Sequence, residues 1–224
     1  MFAIFFIIGA LGIVHWVPPL PPSNSALATA AEYRGRTTQI RLGFLVMFIG
    51  QIAFPLFGAA IAGQTRRIGQ APRAVSYAQV ASVGCASMAM CGPIATFFVA
   101  AFRPERPPEL TQVLNDLAWV VLMVSFVPFV AWAFAIGLAV LCDTGDRPVY
   151  PRWSGYLSVV VGLVQMPAGL LVFFKTGPFA WNGVFSFWVP AFDFFGWVLV
   201  MTALTIKATK LPVPAGSAGH LQPA

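Results

Sequence analysis

The sequence predicts an all-α protein, a polytopic transmembrane helical bundle of about six spans, or five if the N-terminal segment is removed. Three observations carry that expectation. Only 9% of the 224 residues are charged, against about 25% in a soluble domain, so the chain has too little charge to cover a surface that faces water. Hydrophobic residues make up 58% of it, and they fall in runs near the ~20 residues that cross a hydrocarbon core. The basic residues flank those runs, where Lys and Arg fix orientation and meet anionic lipid.

The first run, residues 2–17, is short for a span and ends at Pro18-Pro19-Leu20-Pro21-Pro22. Two readings compete for it. Ala28-Thr29-Ala30 resembles a signal-peptide cleavage site, but no basic n-region precedes the run and the site lies far downstream. A retained first membrane helix is the favoured reading. Residues 23–41 are polar, with Ser23 or Asn24 available to cap a short helix. They fit an interfacial helix or a solvated loop equally well.

The second span is expected at 42–63, followed by Arg66, Arg67 and Arg73. The third runs over 76–102 and stops at the Pro-rich stretch 103–109, because proline cannot continue a helix. Residues 110–117 form a polar lead-in to the fourth span, 117–141. A turn-rich loop, Asp143 to Pro148, separates it from the fifth span, 155–174. The sixth lies at 185–206, and residues 208–224 read as a disordered tail beyond a single domain of residues 1–207.

Orientation follows weakly from charge. With the N-terminus in the cytoplasm, seven basic residues fall on the cytoplasmic side and six on the other. The positive-inside rule thus favours cytoplasmic termini by a narrow margin. Without a convincing signal sequence, a bacterial inner membrane is the expected location.

Catalytic chemistry has little to stand on. The two histidines are His15 and His220, in the marginal first run and in the tail, which argues against a bis-His haem held between helices. No metal-binding spacing, P-loop or nucleophile motif occurs. The cysteines Cys85, Cys91 and Cys142 read as packing residues. No catalytic residue, metal ligand or cofactor is assigned. The net charge of +6 does not indicate nucleic acid, since no basic patch interleaves with exposed aromatics.

The functional candidates are polar groups at membrane depth. Asp193 lies inside the sixth span, and a carboxylate there is costly unless paired or protonated. Lys175 and Arg103 leave neighbouring spans on the same side, so an ion pair that fixes packing and a functional carboxylate are both open readings. Each of the last five spans holds one proline: Pro55, Pro93, Pro128, Pro167 and Pro190. Stripes of polar and small residues share their faces. Gln51, Ser82, Thr96, Ser158, Gln165 and Ser186 are the candidate cavity-lining residues, with plain helix packing as the alternative. The small residues Ala131, Ala135 and Ala139 offer a docking face for another helix.

The connection over residues 173–183 combines Gly177-Pro178 and Asn182-Gly183 turn signals with Phe179 and Trp181. It fits an interfacial turn or a partly re-entrant lid near Asp193. Together with Pro151-Arg152-Trp153-Ser154-Gly155-Tyr156 and residues 110–119, it resembles a group of uncharacterised bacterial multi-span membrane proteins. That resemblance implies the membrane class and no chemistry. Two functions follow as expectations. One is an auxiliary or assembly subunit of a membrane complex, with a membrane-protein partner or a second copy of the chain. The other is a small carrier or permease for a hydrophobic, lipid-like solute.

Overall fold

The computed structural model describes residues 1–211, and the described residues form helices and connections without a strand. Seven helices follow in order: α1 (Phe2–Val14), α2 (Ala26–Gly35), α3 (Thr37–Thr65), α4 (Arg73–Phe102), α5 (Pro108–Leu141), α6 (Arg152–Phe173) and α7 (Val184–Thr209). The last five are long and apolar enough to cross a bilayer. This is a multi-pass, all-α membrane bundle.

The spans run longer than the sequence indicates, because helices continue past their apolar windows wherever the ends find hydrogen-bond partners. The expected polar lead-in before the fourth span is helix from Pro108, whose ring suits a first turn. The expected tail does not begin at residue 208. Helix α7 runs to Thr209 because the Arg67 guanidinium donates to the carbonyls of Ala208 and Leu211 at 2.8 and 3.0 Å. The rest of the expected tail, with His220, lies outside the described residues.

Four of the five prolines mark a change in helical winding, as loss of the N–H and a clash with residue i−4 require. In α3 the ladder opens at Gln51, four before Pro55, whose carbonyl is taken up by Phe54 N–H at 3.1 Å. In α5 it opens at Ser125, three before Pro128. Helix α6 tightens to 3₁₀ winding over Met166–Phe173, and α7 starts with a π-type turn, Val184–Trp188, before Pro190. Pro93 alone sits in unbroken helix.

Helix α1 is shorter than the five long helices. It is antiparallel to α3, with Val14 against Gly43 and Phe5 against Gly50. Phe2 meets Phe54 near the middle of α3, with ring centroids 4.9 Å apart. At 1.5 Å per residue, α1 therefore lines about half the depth that α3 crosses. Contact is close because glycines face each other: a Cβ on Gly43 would run into Val14 and the Gly9 carbonyl.

Over residues 23–41 the chain forms the packed helix α2 and the first turn of α3 rather than a solvated loop. Ser25, not Ser23 or Asn24, caps α2 by accepting from Ala28 N–H at 3.2 Å. Tyr33 is buried and donates to Asn115 Oδ1 on α5 at 3.2 Å. Burial, reinforced by the Asp116 carboxylate, holds the Tyr33 phenol well above its ordinary range. The basic residues of this side seal the end of α4. Arg41 donates to the Ala101 and Phe102 carbonyls, Arg34 to those of Pro104 and Arg106, and Arg106 to that of Val99. Cations at a helix C-terminus also complement its dipole.

Two aromatic clusters form the core. One gathers Phe54, Phe129, Trp132, Phe194 and Trp197 around the α5–α7 contact, with the two indoles 5.1 Å apart in edge geometry. The other stacks Phe44 on Phe97 at 4.4 Å, flanked edge-on by Trp16 and Trp119.

Candidate functional site

The breaks in α5, α6 and α7 lie side by side, and a chamber of about 570 Å³ opens among them. Ser125 and Phe126 at the α5 break, Ala168 after Gln165 in α6, and Pro190 in α7 all face it. Ala86 and Met90 of α4 and Phe6, Ala10 and Leu11 of α1 complete the wall. The volume is within the ~300–1,000 Å³ range of small-molecule sites. Ile7, Leu11 and Phe192 line it while 47%, 48% and 74% exposed, so its mouth faces the hydrocarbon between α1 and α7.

Three of the polar side chains on this wall are already engaged. Ser125 Oγ donates to the Val121 carbonyl and Ser186 Oγ to that of Phe179, both at 2.8 Å or less. Gln165 Nε2 donates to the Pro190 carbonyl at 3.1 Å and to Asp193 Oδ2 at 3.3 Å. Gln165 thereby ties the α6 and α7 breaks together.

A second, smaller chamber of about 50 Å³ adjoins the first. The two share Phe6, Ala10, Val17, Leu122 and Phe187. Trp16 and Trp119 line only the smaller one, 4% and 5% exposed, and neither indole N–H has a partner among the described residues. A buried tryptophan N–H usually finds one, and leaving it unpaired costs about 1–3 kcal/mol.

The structure separates the candidates named from sequence. Of the six expected cavity-lining residues, Gln165 and Ser186 line the larger chamber. Ser158 instead accepts from Trp197 Nε1 at 3.0 Å and donates to the Ser154 carbonyl, joining α6 to α7. Thr96 donates to the Gly92 carbonyl of its own helix, and Ser82 is half-buried on α4 away from either chamber wall. Gln51 is buried at the α3 break with neither amide atom partnered, but it lines neither chamber.

Asp193, Lys175 and Arg103 do not come together. Asp193 is half-buried, and no basic side chain lies within ion-pair distance of it among the described residues. Lys175 is exposed and lies within electrostatic reach of Asp116 instead, and Arg103 is exposed at the end of α4. The connection 173–183 is a compact turn. Gly177 adopts φ +83°, which glycine alone takes up without strain. Trp181 Nε1 donates to the Leu20 carbonyl at 2.7 Å, fixing the turn to the proline-rich segment. In the small-residue stripe of α5, Ala135 and Ala139 are buried against Val75 of α4, so that part of the face is occupied within the chain, whereas Ala131 is exposed.

Met90, Leu122, Phe126 and Phe187 escape sequence reasoning. They are apolar residues in an apolar chain, and nothing in their spacing separates a chamber wall from lipid contact. The fold and site together define a multi-pass helical membrane protein with a lateral apolar chamber. No family model, curated protein or solved structure matches the chain.

Proposed function

We propose that the protein binds a hydrophobic, lipid-like molecule in the chamber between α1 and α7 and carries it as a small permease. The observation that carries this reading is a roughly 570 Å³ apolar chamber whose mouth faces the bilayer and whose Ser125, Gln165 and Ser186 side chains are already hydrogen-bonded. Such a wall favours a molecule that brings apolar surface and asks for no polar partner there. Asp193 is the gating group of this mechanism. Its support is position: a carboxylate in a span without an adjacent cation, held by the glutamine that lines the chamber. The protein acts in a bacterial inner membrane with the C-terminal end of α7 cytoplasmic, in keeping with the charge balance and with the likeness to bacterial multi-span proteins.

Native mass spectrometry after gentle extraction tests the reading. The expected result is a reproducible hydrophobic molecule of small mass on the wild type, absent from Ala86→Phe, which fills the chamber. A stoichiometric protein partner with no such molecule would replace this reading with the auxiliary-subunit one.

A further inference from the structure

We propose that the smaller chamber recognises an oxygen that accepts hydrogen bonds and donates none, such as an ester or quinone carbonyl, at the end of a molecule whose tail occupies the larger chamber. The inference rests on the reading that the chambers bind an apolar molecule, and it names the chemistry of that molecule's head. Trp16 and Trp119 both pack edge-on against Phe97, with ring centroids 5.9 and 5.2 Å from it. Both line a space of about 50 Å³, and both indole N–H groups are more than nine-tenths buried without a partner among the described residues. An indole N–H only donates. The other side chains around this space are hydrocarbon and the Met47 thioether, so among its lining side chains the two indoles are the donors and none is a strong acceptor.

A carbonyl accepts from an indole N–H and leaves nothing of its own unpaired. A hydroxyl or a carboxylic acid would bury a proton with nowhere to donate it. The volume holds little more than one such group, given that a water molecule occupies about 30 Å³ in the liquid. The shared wall of Phe6, Ala10 and Leu122 connects that head to the larger chamber, where the tail belongs.

Trp132 supplies a control. Its N–H is likewise buried without a partner, but it lines neither chamber. The experiment measures binding of radiolabelled heptadecane, methyl palmitate and a decyl-substituted benzoquinone to the full chain in detergent, for wild type and for Trp16→Phe, Trp119→Phe and Trp132→Phe. The expected result is that one or both carbonyl probes bind about tenfold or more tighter than the alkane. An ester preference marks an acyl lipid as the source, and a quinone preference marks a prenyl quinone. Trp16→Phe and Trp119→Phe each remove about threefold or more of that preference, measured as the ratio of carbonyl-probe to alkane affinity, while Trp132→Phe leaves the preference unchanged. Equal binding of all three probes to wild type overturns the proposal even if a variant fails to fold. So does a preference that survives in both folded chamber variants. Binding of none of the three overturns the chamber reading itself.

Discussion

Asp193 and Gln165 show how one residue pair can hold two broken helices in register. Gln165 Nε2 reaches the Pro190 carbonyl and Asp193 Oδ2 at once. Asp193→Asn keeps an oxygen for that amide and removes the ionisable group. The variant is expected to insert, fold and bind the chamber probe as wild type does, and to exchange it at least about tenfold more slowly if ionisation drives gating. Stopped-flow exchange of a labelled probe from proteoliposomes checks this, and an unchanged rate removes Asp193 from the mechanism. A second residue reports on stability alone. Tyr150 is fully buried in the connection between α5 and α6, and its hydroxyl lies 3.0 Å from Thr205 Oγ1. Burial pushes its phenol up to about 12, against smaller opposing effects of Thr205 and Arg67. The unfolded chain ionises Tyr150 near pH 10, before the folded one does. This contribution is therefore whole below about pH 10 and is lost as pH rises towards 12, at most roughly 2–3 kcal/mol in all. Thermal melts between pH 9 and 12 should fall less steeply for Tyr150→Phe than for wild type, whereas parallel curves would show that Tyr150 does not titrate in this range.

Helices, not single residues, decide where the chamber lies. The prolines at 55, 128, 167 and 190 are legible in the sequence, and each stands at a change of winding. Which breaks lie level with one another is not legible, because that depends on the vertical offset of helices whose connections do not reveal it. Hence the sequence shows the polar stripes but not their partners: Ser158 meets Trp197, and Ala135 meets Val75. The place of α1 escapes the sequence for a related reason. An apolar run shows that a segment belongs in hydrocarbon but not what it docks on, and here Gly43 and Gly50 fix its place by accepting Val14 and Phe5. Gly43→Leu should therefore undock α1 and destabilise the protein by about 1–3 kcal/mol, as overpacking does. Gly63 sits in α3 with open space where an alanine methyl would stand. Gly63→Ala should leave the melting temperature unchanged or raise it slightly, since glycine weakens a helix interior by roughly 0.5–1 kcal/mol relative to alanine. Differential scanning fluorimetry in detergent distinguishes the two, and equal effects would show that α1 and α3 do not meet at these glycines.

At the scale of the whole bundle, the chamber sets stability against binding. Residual cavity in a protein interior costs about 24 cal/mol per Å³. A sealed and empty void of about 570 Å³ would on that basis cost roughly 14 kcal/mol, as much as the whole stability of a typical domain. The bundle avoids that cost by opening the chamber to the bilayer, through a mouth where Leu11 and Phe192 are exposed. Hydrocarbon from a lipid or a ligand then stands in for core side chains. The consequence is measurable in protein stripped of lipid. Ala86 and Ala168 are 3% and 2% exposed, and both line the chamber. Ala86→Leu and Ala168→Leu should each raise the melting temperature of the stripped protein by several degrees, because they place side-chain atoms where the wild type relies on a guest. Both should also lose the further stabilisation that added methyl palmitate gives the wild type, since a guest that binds only the folded state raises its stability by mass action. Variants that melt lower than wild type, yet are still stabilised by the probe, would place the guest away from these two alanines and require a different route into the bundle.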